Sequence, residues 1–367
     1  MSIAGLILTA LMQAATPSAP ITMQLPDMPL HDPFILADSA TQTYYLYTSN
    51  NPRLTGDCGL GTMAYESHDL KTWAPPKLVF RLPDNTWANG GAWAPEVHFW
   101  KGHYYLFTTF HNESTPIAGP AKPHRQPYRR GTVLARADSP EGPFQLVNNG
   151  EPIAGTERMT LDGTLYVDPK GKPWLVYSHE WVQQTDGTME AIPLNDDLKA
   201  IGAPVVLFKA SDAKWVKGSN KGPDDTVYVT DGPELYRSKD GHLLMLWSSY
   251  DKNGYVESEA RSDSGTIEGP WTQLEPLVRA DSGHGMLFHR FGDDQLMLVL
   301  HRPFSNARGK LYEVRDAGDH LEVVTERTDL DGDTGAPPVK GPKPNVRSGC
   351  RPAIPAAPAS ASAAPAN

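Results

Sequence analysis

Cysteine is scarce in this chain, helical periodicity is scarcer, and there is no long apolar run beyond the first residues. Each deficit removes a class of protein. Cys58 and Cys350 are the only two cysteines in 367 residues, too few for a disulfide scaffold, and no Cys/His spacing suits structural zinc. A disulfide between them is possible in an oxidising compartment, but with Cys350 in a Pro/Ala-rich stretch the two are expected to be unpaired or incidental. Basic residues are the minority, with 33 Lys and Arg against 43 Asp and Glu and a formal charge of −10. That balance argues against nucleic acid or an anionic membrane surface as partner. Apolar residues rarely recur at a 3.6-residue period, so a helical bundle is not expected. The one apolar run, Ile3 to Met12, is too short to span a bilayer comfortably. With Gln13-Ala14-Ala15-Thr16-Pro17 behind it, the run has the apolar core and small-residue site of a signal peptide, without the basic start. Residues 1–20 are therefore read as a leader, and the protein as secreted or periplasmic.

What the chain does have is aromatics and turn residues: 14 Tyr, 9 Trp, 32 Gly and 34 Pro. These suit short strands joined by tight turns. Tyr44-Tyr45-Leu46-Tyr47-Thr48-Ser49 is nearly repeated at Tyr104-Tyr105-Leu106-Phe107-Thr108-Thr109. The turn Glu141-Gly142-Pro143-Phe144 returns as Glu268-Gly269-Pro270-Trp271. Arg136-Ala137-Asp138 is matched by Arg261-Ser262-Asp263. Internal repetition of short strands predicts propeller blades, here five units of roughly 55–70 residues. The expected architecture is all-β, a five-bladed β-propeller over residues 28–330. From 331 to 367 the sequence is mostly Pro, Ala, Gly and Ser, which cannot bury enough surface to order itself, and a flexible tail is expected.

The units are organised around His31-Asp32-Pro33-Phe34, where a carboxylate precedes a proline at the start of a β-run. Polar residues open the later units at Glu96, Asp162, Asp231 and His284, at intervals of 64, 66, 69 and 53 residues. The innermost strands of a propeller converge on its axis, so these five residues are expected to face one another across a central pocket. Carboxylates crowded together split each other's pKa values, because like charges resist joint ionisation. Hydrolysis of a glycosidic bond needs such a set: one acid to protonate the leaving oxygen and one carboxylate to activate water or attack carbon. A single Asp at a strand start can simply cap a turn. Four acids in register with a repeat point instead to chemistry.

These motifs, with Trp93-Ala94-Pro95-Glu96-Val97, Asp162-Gly163-Thr164-Leu165, Asp231-Gly232-Pro233 and Gly283-His284-Gly285, resemble glycoside hydrolase family 43 from His31 to about Val314. The resemblance implies a five-bladed propeller and an inverting mechanism. It implies Asp32 as general base and Asp162 as the third carboxylate, which tunes and orients the acid. It implies His284 as the central histidine that binds a water-coordinated cation such as Ca²⁺. The chain departs from the pattern at the acid, where the family usually carries Glu before Gly-Pro and this sequence has Asp231. The shorter arm would stop roughly 1.5 Å short, about one C–C bond. Glu180, in Ser178-His179-Glu180-Trp181, is the alternative acid. Glu234, three residues beyond Asp231, should face the other way.

Trp93, Trp181 and Phe34 could stack on a sugar ring, and Glu96 and Glu180 could bind its hydroxyls. Arg302 and His31 could hold substrate hydroxyls or a central carboxylate. The function expected is release of terminal pentose or furanose residues from poly- or oligosaccharide, of the α-L-arabinofuranosidase or β-xylosidase type, by a monomer. Alternatives are a β-D-galactofuranosidase, or a non-catalytic carbohydrate-binding propeller that has lost the usual acid.

Overall fold

A computed structural model describes residues 22–120, 124–220, 222 and 224–332; the expected leader, the tail beyond Gly332 and Cys350 lie outside these. Five four-stranded antiparallel sheets follow one another along the chain, each built from four consecutive strands. The first strands of the blades are Phe34–Asp38, Gly90–Trp100, Thr160–Val167, Asp231–Arg237 and Gly283–His289. Each touches the first strand of the next blade, and the fifth touches the first, so the ring closes. The protein is a five-bladed β-propeller.

The repeated sequences occupy equivalent places. Thr43–Ser49 and His103–Pro116 are second strands. Gly142 and Gly269 have φ of 72° and 79° at the turn from third to fourth strand in blades two and four, a conformation that favours glycine. The faces between blades are filled by side chains from the alternating strands, with Tyr47, Tyr65, Trp73, Tyr177 and Trp247 fully buried. Truncating one of the buried tryptophans would cost about 3–5 kcal/mol.

Closure does not use a shared strand. The segment before the first blade bridges instead. Met23 pairs with Trp73 of blade one, while Leu30 N–H donates to the Ala307 carbonyl and Arg308 Nε donates to the Pro26 carbonyl of that segment at 2.8 Å. Leu25 and Met28 are buried beneath it. Asp331, read as the start of the tail, is buried and accepts from Leu311 N–H at 2.8 Å. Cys58 is disulfide-bonded, which overturns the expectation of two unpaired thiols.

Near the start of every first strand an equivalent residue adopts left-handed backbone, Asp32 (φ 49°), Ala94 (42°), Asp162 (55°), Gly232 (51°) and His284 (55°), and in blade two Gly91 and Ala92 also have positive φ. In blades two to five the pairing with the second strand skips across the equivalent residue, a bulge in the ladder. Bulges re-aim side chains and free backbone groups that must then find partners. At four of these five left-handed positions the N–H group is taken by the preceding blade. Thr109 Oγ1 accepts from Asp162 N–H at 2.9 Å, Ser248 Oγ from His284 N–H at 2.8 Å, His301 Nδ1 from Asp32 N–H at 3.2 Å, and Asp162 Oδ2 from Gly232 N–H at 3.2 Å. These bonds stitch four of the five inner strands to the preceding blade.

Candidate active site

This bulge sets the true register of the centre. Asp32, Asp162 and His284 occupy the left-handed position itself, with Ala94 and Gly232 as their counterparts. Asp231 stands one place earlier, beside His31, Trp93, Leu161 and Gly283. Glu96 stands two places later, at the position that Glu234, Phe34, Thr164 and Met286 occupy in the other blades. The expectation of four acids at one equivalent position is therefore corrected: the acids fall into two layers along the axis.

The front layer opens into a cavity of about 560 Å³ lined by His31, Asp32, Trp93, Arg130, Asp162, Glu180, Trp181, Asp231, His284 and Phe304, with Ser49 and Leu161. A volume of that size holds more than one sugar ring, since ligand clefts run from roughly 300 to 1,000 Å³. Asp32 Oδ1 lies 2.7 Å from His31 Nδ1, 3.2 Å from His284 Nδ1 and 3.4 Å from His301 Nδ1. Burial alone would raise its pKa, but the charges of His284 and His31 hold the carboxyl well below the usual carboxylate range. Asp162 shows the opposite case. Burial, and then the Asp231 carboxyl hydrogen-bonded to it, push it well above the ordinary range. Asp231 in turn accepts from the Tyr255 hydroxyl at 2.7 Å. One carboxylate is thus held charged while Asp162, hydrogen-bonded to Asp231, keeps its proton, the division that acid–base chemistry requires.

Glu180 and Trp181 reach the cavity because the chain turns after the second strand of blade three, with Glu180 capping the short helix Trp181–Gln184. Glu180 Oε1 accepts from Arg130 Nη1 at 2.5 Å, and both side chains are buried. Burial lifts the Glu180 pKa above its usual value against the pull of Arg130. The Arg130 guanidinium lies over the rings of Trp93 and Tyr128, at 4.7 and 4.8 Å from their centroids. Trp93 is 37% exposed, so one wall presents an aromatic face backed by a cation. Arg130 and Phe304 escape sequence reading, because neither lies in a strand-start motif.

Three expected substrate contacts lie elsewhere. Glu96 is buried in the rear layer, 2.9 Å from His98 Nε2, and burial raises its pKa to about 8 while lowering that of His98 to about 4. Phe34 packs on the His98 ring at 5.2 Å and, with Glu234, lines a second cavity of about 800 Å³ at the rear of the propeller. Arg302 turns outward, donating to the Tyr312 hydroxyl and to Glu326, each at 2.7 Å. A residue that alternates along a strand points to one face or the other, and these three point away from the front cavity.

Asp162, Asp231 and His284 each offer a ligand atom within 4.8 Å of the others. Carboxylates and water suit a hard divalent cation, whereas imidazole is a ligand of softer ions; these residues would hold the ion that the resemblance implies with His284 reaching it through water and with Asp162 giving up its proton. Bound there, it would supply positive charge beside the aspartates.

A β-propeller that gathers a charged aspartate, a second aspartate held protonated beside a third, and aromatic walls at one mouth has the equipment of a carbohydrate-cleaving enzyme. The sequence profile of Glycosyl hydrolases family 43 matches residues 27–316, and the chain belongs to that family; it is a glycoside hydrolase. A solved endo-arabinase from Bacteroides thetaiotaomicron VPI-5482 is 37% identical and superposes with a TM-score of 0.71 over 81% of this chain and 98% of its own. Xylosidase/arabinosidase 43A of Humicola insolens is 28% identical over 123 residues, which span 32% of each protein. An α-L-arabinofuranosidase from Lactobacillus brevis, 15% identical with a TM-score of 0.59, shares the fold.

Proposed function

We propose that this chain is an inverting hydrolase of arabinofuranosyl or xylosyl linkages, releasing terminal residues from plant or microbial polysaccharide side chains. The observation that carries this reading is the charge division in the front cavity. Asp32 stays ionised to take a proton from water as the water attacks the anomeric carbon. The hydrogen-bonded Asp162–Asp231 pair holds one proton, which passes through Asp231 to the departing glycosidic oxygen; both carboxyls are then ionised, and the pair regains a proton from solvent before the next turnover while Asp32 releases the one it took from water. Trp93 and Trp181 flank the sugar, and the Arg130–Glu180 pair meets its hydroxyls. The signal-like leader supports export, where such polymers are met.

The 37% identity to an endo-arabinase favours a second reading, internal cleavage of arabinan. Two measurements decide. Nitrophenyl arabinofuranoside, xyloside and galactofuranoside, with linear arabinan alongside, identify sugar and mode: terminal action gives monosaccharide from the start, internal action gives mixed oligosaccharides and a fast fall in viscosity. NMR of the first-formed anomer is expected to show inversion, which goes with carboxyls about 6.5–9.5 Å apart. A retained anomer, or no turnover on any of these sugars, refutes the proposal.

A further inference from the structure

Asp32 is surrounded by three imidazoles, and all three contacts fall on the same oxygen, Oδ1: His31 at 2.7 Å, His284 at 3.2 Å and His301 at 3.4 Å. His284 and His301 are buried, whereas the His31 side chain is 39% exposed and lines the front cavity. His31 is also tied at its other end. Its Nε2 lies 3.0 Å from the Phe304 carbonyl oxygen, which can only accept, so Nε2 must carry hydrogen. A neutral ring would then turn a bare lone pair at Nδ1 toward the carboxylate. At 2.7 Å a proton has to lie on that contact. The ring is held further by His301, with centroids 3.9 Å apart, and by the edge-on Phe304 at 5.0 Å.

We propose that His31 is a positioning residue for the general base: it pins Oδ1 of Asp32 to blade five and so fixes the rotation of the carboxylate that turns Oδ2 toward the attacking water. The inference rests on the reading of Asp32 as base, and it gives each oxygen a separate task. Oδ1 is the anchored atom; Oδ2 takes the proton when water adds to the anomeric carbon. Orientation matters here because Asp32 has left-handed backbone (φ 49°) at the seam between the first and fifth blades, and its N–H is tied to the same fifth-blade His301 at 3.2 Å. A carboxylate free to rotate about its last bond would offer the wrong lone pair for much of the time. The balance of charge agrees, since His31 has a pKa raised to about 9: burial opposes its charge, but the Asp32 carboxylate outweighs that.

The test is His31→Ala and His31→Gln, with Asp32→Asn alongside, on whichever nitrophenyl glycoside the wild-type enzyme turns over. Misplacing a catalytic group by about 1 Å costs on the order of 10²-fold in rate. His31→Ala is therefore expected to lose about that much in kcat, with KM changed by less than about threefold. Added imidazole, entering the space left by the ring, should restore part of the rate, and His31→Gln, which keeps one donor toward Oδ1, should fall between. A purely structural role would not respond to imidazole. His31→Ala with wild-type kcat, a loss confined to KM, or a loss that imidazole leaves untouched overturns the proposal. Asp32→Asn separates the two levels: if it keeps turnover, the base assignment itself falls, whereas an inactive Asp32→Asn beside a fully active His31→Ala removes only the role given to His31.

Discussion

Replacing Asp231 by alanine tests the assignment on which the mechanism depends, because this chain carries an aspartate where a longer acid is usual. Asp231 makes two contacts that matter, the hydrogen bond from the Tyr255 hydroxyl at 2.7 Å and the one with Asp162. Truncation leaves the buried Tyr255 hydroxyl without that acceptor, at a cost of about 1–3 kcal/mol. Against the 5–15 kcal/mol typical of a folded domain, the propeller should still form. The catalytic loss is larger. A positioned general acid is worth about 10²–10⁴-fold where the leaving group needs a proton, whereas a nitrophenolate departs without one. Asp231→Ala should therefore lose most of its rate on a natural oligosaccharide and far less on the nitrophenyl glycoside, compared as kcat/KM on the two substrates. Asp162 would respond as well. Its raised pKa comes first from burial and then from Asp231; without that neighbour the pKa drops while staying above the ordinary range, and any alkaline limb of the rate profile set by Asp162 moves to lower pH. Glu180→Ala is the control. Its carboxylate is committed to Arg130, so it should weaken both substrates alike. An equal loss on both substrates in Asp231→Ala, with the split appearing in Glu180→Ala, would falsify the assignment and move the acid to blade three.

Further predictions concern the rear layer and the cation. Glu96 is 6% exposed and its pKa is raised from 4.5 to about 8 by burial, so between those values the folded protein holds a proton that the unfolded chain has released. That group's contribution is fully present below about pH 4.5 and is lost as pH rises to about 8; the drop in melting temperature from pH 5 to pH 8 should be smaller in Glu96→Gln, and an unchanged drop refutes the burial argument. If a divalent cation sits at Asp162, Asp231 and His284, dialysis against a chelator should lower the melting temperature and added Ca²⁺ should restore it; identical melts with and without chelator reject the ion.

The blades were legible in the sequence because their repeats are local. Tyr44–Ser49 and Tyr104–Thr109 have the same alternation, and the Glu-Gly-Pro-aromatic turn marks the same corner in blades two and four. Residues of the front cavity were legible where they lie in the strand-start motifs: His31, Asp32, Trp93, Asp162, Asp231 and His284 all line it. Arg130 and Phe304 were not, because they come from a third strand and from the loop after a second strand. Their place at the cavity depends on how neighbouring blades pack. Arg302 illustrates the same limit from the other side. One residue's alternation at the end of its strand sends it outward to Tyr312 and Glu326, while Phe304, two residues later, faces the substrate space.

The rear layer was misplaced for a sharper reason. Counting acids from one strand start to the next treats Glu96, Asp162 and Asp231 as equivalents, although they occupy three different positions around the bulge. The marker of equivalence is not the acid but the residue after the left-handed position, which is Pro or Gly in all five blades: Pro33, Pro95, Gly163, Pro233 and Gly285. Aligning on that pair puts Asp32, Ala94, Asp162, Gly232 and His284 in one column, and all five have positive φ. Two of the five blades fill the column with Ala or Gly, and their acids lie to either side of it. In blade four this gives Asp231 before the bulge and Glu234 after it, one for each end of the axis. The side of the bulge on which a carboxylate falls decides whether it meets the front cavity or is buried beside His98, and a shift of two or three residues is enough to separate a candidate catalytic group from a structural one.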